Sequence, residues 1–190
     1  MMKRRIFALL VCLPLLLSAC GKTDAGAGGL LSRASGIADD EVLLTVDGRE
    51  VPAWRYLYWL AYTCDQIAER YEAAELSLDW DAALSGGSTL ADSAKEQALA
   101  DTALYATVEN WAEDYACTLT DEDRTAMDRE WAARVAQYGG EEAYLAVLAR
   151  MGLDRAEAEA ISGDYYLYEH LYDLYCTEGS EQIGRASCRE

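Results

Sequence analysis

The sequence predicts an all-α protein, an irregular helical bundle of about five helices with one short N-terminal β-hairpin. Beyond the first forty or so residues, apolar side chains recur every three or four positions over long stretches, which is the period of an amphipathic helix. The chain has only two prolines in 190 residues, and several of its 14 glycines separate these stretches. One stretch instead carries a run of β-branched and leucine residues followed by Asp-Gly, which is typical of a hairpin.

The hairpin is predicted at the start of the folded region. Val42–Val46 has the composition of a strand, the Asp-Gly pair at 47 and 48 supplies the turn, and residues 49–51 form a short return strand. Pro52 follows at a position where a helix can begin, because the first helical turn does not need the N–H group that proline lacks.

Two long helices come next. The first is predicted over residues 53–74, with Trp54 and Tyr58 on its apolar side. Thr89 and Asp92 have the spacing of a capping box and begin the second helix. The apolar face of this second helix is predicted to consist of Ala100, Leu104, Val108, Trp111 and Tyr115.

The third and fourth helices are bounded by clear signals. A second capping-box pattern at Thr120 begins the third helix, which carries Trp131 on its apolar stripe and ends at the Gly-Gly pair of residues 139 and 140. Glu141–Met151 is the short fourth helix, and Gly152 closes it.

The fifth helix has an unusually wide apolar face. Asp154 is the predicted cap of this helix, and leucines line a second stripe beside the aromatic one. The aromatic stripe consists of Ile161, Tyr165, Tyr168, Tyr172 and Tyr175.

The N-terminal segment has the composition of an export signal. Residues 1–19 place three basic side chains before an apolar core that is too short to span a bilayer permanently. The sequence Leu-Ser-Ala-Cys at 17–20 resembles the lipobox of bacterial lipoproteins, which implies that Cys20 is lipidated. A plain signal peptide with an incidental cysteine is the alternative. Residues 20–40 are rich in Gly, Ala and Ser and are predicted to be a flexible tether. We therefore expect a cell-membrane protein, lipid-anchored and facing the extracytoplasmic side.

The C-terminal residues differ from the rest of the chain. Residues 183–190, with the sequence IGRASCRE, resemble a translated sequencing adapter, and a genuine disordered tail is the alternative. On the adapter interpretation, we expect the natural protein to continue beyond residue 182.

The charge balance excludes some classes of partner. With 34 acidic and 16 basic side chains, the net charge is −18. Such a chain repels nucleic acid, so no nucleic-acid partner is expected.

No motif in the sequence indicates catalysis or a cofactor. His170 is the only histidine, and there is no glycine-rich phosphate loop, Cys-x-x-Cys pair or nucleophile elbow. Cys64, Cys117 and Cys176 are too widely spaced for a metal-ligand pair and are interpreted as small buried apolar residues. We therefore predict no catalytic residue, no metal site and no cofactor within this chain.

The aromatic composition suggests a binding surface. The chain has 13 Tyr and five Trp but only one Phe. Tyr and Trp join a large apolar ring to a polar group, so helical stripes of them can form a cradle for extended polypeptides. The alternative is that they cap the core with their hydroxyls in water. The candidate binding residues are Trp54, Tyr58, Trp111, Trp131, Tyr165, Tyr168 and Tyr172.

Two segments resemble a known family. VDGREVPAWRYLYWL, residues 46–60, resembles the opening of the SurA/PrsA-type extracytoplasmic foldases, in which a strand, a turn with Gly and a helix entered near Pro begin the chaperone domain. Residues 119–161, with their acidic cap, Gly-Gly break and short helix ending in Gly-Leu, are similar to the later helices of that family. The long loop over residues 75–88 and the many Trp and Tyr side chains depart from the pattern.

The resemblance implies that residues 41–182 form a SurA/PrsA N-terminal-like helical chaperone domain that binds unfolded or nascent exported polypeptides. A parvulin-type prolyl isomerase domain usually follows in that family. The parent protein would then be a peptidyl-prolyl cis-trans isomerase, but this chain has no parvulin-like histidine motif to carry the activity. The alternative function is a lipoprotein scaffold or interaction module that binds one folded partner. A small-ligand site in a Tyr/Trp-lined cleft is a third possibility.

Overall fold

The computed structural model describes residues 29–176 and confirms the predicted fold class. The five predicted helices are all present, and a short additional helix precedes the hairpin. In chain order, the elements are α1 (Leu30–Ser35), β1 (Val42–Val46), β2 (Arg49–Pro52), α2 (Ala53–Ala73), α3 (Leu90–Asp114), α4 (Asp121–Tyr138), α5 (Glu141–Met151) and α6 (Arg155–Cys176).

The hairpin forms as predicted and packs on α3. β1 and β2 pair antiparallel, with Val46 opposite Arg49, and a bulge lies near the start of β1. Asp47 and Gly48 both adopt positive φ, at 49° and 89°, as a two-residue hairpin turn requires. The side-chain amide of Asn110 on α3 donates to the Val46 carbonyl oxygen at 2.9 Å, which fixes the hairpin on the bundle.

Helices α2 and α3 form the central pair of the bundle. They run antiparallel, because Arg55 in the first turn of α2 contacts Glu109 near the end of α3. The contacting face of α3 is built from small side chains, which let two helix backbones approach closely. Its fully buried or nearly buried small residues are Ala94, Ala98, Thr102, Ala106 and Ala112.

The predicted apolar face of α3 is therefore wrong in most of its positions. Of the residues assigned to it, only Val108 is buried, whereas Leu104, Trp111 and Tyr115 are each more than 40% exposed. Ala100 is also exposed. Helical periodicity predicts burial for the large apolar side chains. In α3 the small side chains are buried instead, because only these fit between closely packed helix backbones.

The boundaries predicted for the last three helices are confirmed. The Thr120 hydroxyl oxygen accepts from the backbone N–H of Asp123, whose carboxylate accepts in turn from the Thr120 backbone N–H. Asp154 and Glu157 form the corresponding reciprocal pair at the start of α6. Gly139 and Gly152 end α4 and α5 in the left-handed conformation that favours glycine.

The predicted flexible tether is wrong for residues 29–40. Helix α1 contacts α5 and α2, and Ser32 within it is buried. The carbonyl oxygens of Asp39 and Glu41 accept from the first two backbone N–H groups of α2, at 3.0 and 2.7 Å. A helix N-terminus leaves such donors without intrahelical acceptors, so this segment is ordered by satisfying them. The sequence predicts a tether because the segment lacks an apolar period, and that pattern carries no information about backbone contacts with α2.

Several sequence predictions lie outside the described residues. These are the export signal over residues 1–19, the lipidation of Cys20, the first part of the tether and the adapter-like residues 183–190. Within residues 29–176, no helix is long and apolar enough to cross a lipid bilayer.

Candidate binding groove

A groove opens where α4, α5 and α6 meet, with α2 beside them, and its volume is about 490 Å³. We call it the aromatic groove because four rings line it, from Tyr58, Trp131, Tyr138 and Tyr144. Apolar side chains fill the space between the rings. They include Met127, Val147, Leu148, Met151, Leu153 and Ile161.

The rings of the aromatic groove hold one another in place. The Trp131 and Tyr144 rings meet edge to face, with centroids 5.0 Å apart, and Tyr144 stacks on Tyr138 at 5.3 Å. Helix α4 supplies Trp131 and Tyr138 seven residues apart on one face, and the Gly-Gly turn brings α5 back so that Tyr144 faces them. The result is a preformed aromatic surface on rigid helices.

The base of the aromatic groove is part of the core. Trp54, Leu148 and Leu153 form a buried cluster, and Tyr58 and Trp131 pack against it. Since these core side chains fix the lining rings from below, the shape of the groove depends on the packing of α2 against α5 and α6.

Charged side chains surround the groove, and Arg155 is held in place among them. Its guanidinium lies 4.5 Å from the Trp131 ring centroid and donates to Glu159 at 2.7 Å and to Glu141 at 3.0 Å. The Arg124 and Arg134 side chains also line the groove. Neither of these two forms an ion pair with another residue of the 29–176 region.

Two of the lining phenols are kept as hydrogen-bond donors. Burial raises the pKa of Tyr58 to about 12, although the nearby Arg134 opposes this shift. Burial also raises the pKa of Tyr144, again against the influence of Arg134. Neither hydroxyl has a hydrogen-bond partner among the described residues, so both are available to a ligand in the groove.

Tyr58 connects the groove with a second aromatic surface, the aromatic ledge, which consists of Trp59, Tyr62 and Tyr105. The Trp59 ring stacks on Tyr105 with centroids 4.8 Å apart and planes within 3°. Tyr58 meets Trp59 edge to face at 5.1 Å and stacks near Tyr62 at 6.4 Å. Groove and ledge therefore meet at one shared ring.

The structure does not bring the seven predicted binding residues together. Tyr58 and Trp131 line the aromatic groove, whereas Trp111 packs with Tyr115 and Tyr175 at the contact between α3 and α6. The other three predicted tyrosines, on α6, are exposed and do not line the groove. They are Tyr165, Tyr168 and Tyr172.

The prediction for Trp54 needs correction. Its side chain is only 9% exposed and belongs to the core cluster beneath the groove. Trp54 lies in the first turn of α2 and packs with Leu148 of α5 and with Leu153. Helical periodicity alone does not distinguish a core stripe from a binding stripe. Trp54 is therefore a structural residue.

Sequence reasoning missed five aromatic residues of the groove and ledge, including Tyr62, which lies one helical turn from Tyr58. Tyr138 and Tyr144 flank the Gly-Gly turn, and a turn that reverses the chain brings such flanking rings together, so a signal was present. Trp59 and Tyr105 lie on different helices, 46 residues apart, and no local pattern connects them.

A buried ion network lies behind the groove and was also missed. Arg55 donates from Nη1 to Asp164 Oδ2 at 2.8 Å and from Nη2 to Glu109. Arg49 on β2 adds contacts with Glu109, at 3.6 Å, and with Glu113. The network thus joins the hairpin, α2, α3 and α6, and its buried centre is the contact of Arg55 with Asp164, whereas the Glu113 side chain is 73% exposed.

Asp164 and Glu109 share one buried cation, the Arg55 guanidinium. Burial raises the pKa of Asp164 to about 7, with Glu109 adding to the shift and Arg55 opposing it. An acid whose pKa is raised on folding stabilises the folded state fully below its ordinary pKa, and this contribution is lost as the pH rises through the folded value.

We expect the free energy of unfolding to fall by about 2 kcal/mol between about pH 5 and about pH 8, because Asp164 is already ionised in the unfolded chain over this range but ionises in the folded chain only near its pKa of about 7. Asp164→Asn, which keeps an oxygen acceptor for Arg55 but cannot ionise, is expected to remove most of this slope. Urea unfolding at a series of pH values measures it. Asp40→Asn, at an exposed carboxylate, is the matched control. An unchanged slope in Asp164→Asn would contradict the assignment.

The remaining polar and thiol groups do not assemble a metal site. Within residues 29–176, no group of three His, Cys, Asp or Glu side chains is placed to hold a metal ion. His170 lies 3.2 Å from Asp123, whose carboxylate already caps α4. The three cysteines of this region form no disulfide with one another. The prediction of buried thiols is wrong for Cys176, which is exposed, and Cys64 and Cys117 are only half-buried.

Comparisons with models of protein families, with curated proteins and with solved structures give no match. The groove, the ledge and the charged side chains around them are therefore the features that bear on function.

Proposed function

We propose that this chain is a membrane-anchored extracytoplasmic chaperone or foldase that binds short apolar and aromatic segments of unfolded exported polypeptides. The observation that carries the proposal is the aromatic groove of about 490 Å³, with four rings on its surface and a ledge of three more beside it.

The groove has the properties that such binding needs. Its volume lies within the range of ordinary ligand sites, from about 300 to 1,000 Å³. Tyr and Trp offer a large contact area with few rotatable bonds, so binding costs little side-chain entropy. The rings pack on one another and are held by the core beneath them, and such preorganisation favours binding without demanding one particular sequence.

The anchor and the foldase context in this proposal rest on the sequence, namely the lipobox-like residues before Cys20 and the resemblance to the SurA/PrsA-type chaperone domain. Prolyl isomerase activity is not assigned to any residue of this chain. Partners other than unfolded polypeptides and the membrane are not part of the proposal, and the net charge of −18 disfavours nucleic acid.

An aggregation assay tests the proposal. The full chain, reconstituted in nanodiscs, is expected to suppress the light scattering of a denatured exported protein at roughly equal molar amounts, whereas empty nanodiscs do not. No suppression at about tenfold excess contradicts chaperone function, since even weak binding is populated at such a ratio. If a pull-down from the cell envelope instead yields one stoichiometric folded partner, the scaffold alternative is supported.

Trp131→Ala is expected to weaken the binding of an aromatic-rich unfolded peptide about tenfold, because the central ring of the groove is lost. Fluorescence anisotropy of the labelled peptide measures the affinity. Trp111→Ala removes an equally large, exposed ring at the contact between α3 and α6 and should leave the affinity unchanged. The reverse result would place the binding surface at Trp111. Thermal unfolding of both variants separates loss of binding from loss of fold.

A further inference from the structure

Three of the side chains that line the aromatic groove can donate hydrogen bonds. The Arg134 guanidinium and the Tyr58 and Tyr144 hydroxyls all line the groove, and the positive charge of Arg134 acts on both phenols. These side chains come from α4, α2 and α5, so the arrangement exists only in the folded bundle.

No acceptor within the described part of the chain uses these donors. Within residues 29–176, Arg134 forms neither a hydrogen bond nor an ion pair, and neither tyrosine hydroxyl forms a hydrogen bond. A phenol is protonated at neutral pH at its ordinary pKa, and burial raises the pKa of Tyr58 and of Tyr144 further from neutrality. The donors therefore face the groove with their capacity unused.

Two of the three carboxylates that line the groove accept hydrogen bonds from other side chains of the protein. Glu159 accepts from Arg155 at 2.7 Å, and Glu130 accepts from the Tyr166 hydroxyl at 3.1 Å. Asp128 acts on the charge of Arg155, which is surrounded by acidic side chains. Arg155 is thus compensated within the protein, whereas Arg134 is not.

We propose that Arg134, with the Tyr58 and Tyr144 hydroxyls, binds a carboxylate of the polypeptide held in the aromatic groove. The preferred ligand is then an apolar or aromatic segment that carries one carboxylate, either an Asp or Glu side chain or a chain terminus. This inference rests on the proposed function and adds the chemistry that selects among segments.

General electrostatics would give the opposite preference. A chain with a net charge of −18 repels acidic peptides overall, and its surface charges are screened by salt. A guanidinium matches a carboxylate in planar geometry with two parallel hydrogen bonds, and here the two tyrosine hydroxyls that line the same groove can add further donors. A measured preference for an acidic segment would thus report the local site rather than the whole molecule.

The test compares three peptides that share one aromatic-rich sequence. The first has no charge and an amidated terminus, the second carries one Asp within the sequence, and the third has a free terminal carboxylate. With the full chain in nanodiscs of zwitterionic lipid, either carboxylate peptide is expected to bind about tenfold tighter than the neutral one. The second and third peptides distinguish a side-chain carboxylate from a terminal one.

Arg134→Gln is expected to reduce this tenfold ratio to near one. Arg150→Gln, at an exposed arginine of α5 that does not line the groove, should preserve the ratio. A wild-type ratio near one, or an unchanged ratio in Arg134→Gln, overturns the inference. If the neutral peptide still binds in that case, the proposed function stands. If none of the three peptides binds, both the inference and the proposed function fail.

Discussion

Arg55→Ala is expected to lower the free energy of unfolding by about 3–5 kcal/mol, because it leaves a buried carboxylate without its cation. The side chain of Asp164 is 5% exposed, and Arg55 is its ion-pair partner at 2.8 Å. Arg55 also contacts Glu109 and lies 4.9 Å from the Trp54 ring centroid. Its removal therefore affects the junction of α2, α3 and α6.

Urea unfolding near pH 8, where Asp164 is largely ionised, measures this effect. Arg155→Ala is the matched control, since its ion pairs are about half exposed and screened by water, and we expect a much smaller change than in Arg55→Ala. The double variant Arg55→Met with Asp164→Leu removes both charges and should recover much of the lost stability. A loss below about 1 kcal/mol in Arg55→Ala would show that water reaches Asp164 in the folded chain.

Trp54→Ala is expected to destabilise the chain by about 3–5 kcal/mol, because it removes the largest side chain of the cluster beneath the groove. Leu148 and Leu153 would lose their central contact, and the rings of Tyr58 and Trp131 would lose the surface on which they rest. Large-to-small changes in a packed core leave a cavity that neighbours fill only in part.

The control separates a core role from a surface role for this residue. Trp111 is 45% exposed, so Trp111→Ala should change the free energy of unfolding by about 1 kcal/mol or less. If Trp54→Ala proved nearly neutral for stability but abolished peptide binding, Trp54 would be a binding residue after all.

Local chemistry explains which parts of the fold were predictable. The capping pairs at Thr89 and Thr120 and the Asp-Gly hairpin turn each act within four residues, so their signals survive in the sequence. The same holds for the glycine ends of α4 and α5. Element type and boundaries followed from these signals.

The candidate site was predictable only in part. Tyr58 and Trp131 were identified as members of helical stripes, which is a local property. Tyr144 joins them in one groove because of how α2, α4 and α5 pack. Trp111 lies apart from them because α3 places it against α6.

The sequence by itself determined the five-helix bundle, its hairpin and the caps and glycine breaks of its last three helices, but not the short helix α1. Only the tertiary structure decided which stripe of α3 is buried, since Ala98 and Ala106 lie inside while Leu104 is exposed. It also decided the pairing of Arg55 with Asp164 across 109 residues. The physical reason is that caps and turns are satisfied by near neighbours, whereas burial and charge pairing depend on which helix backbones can approach each other.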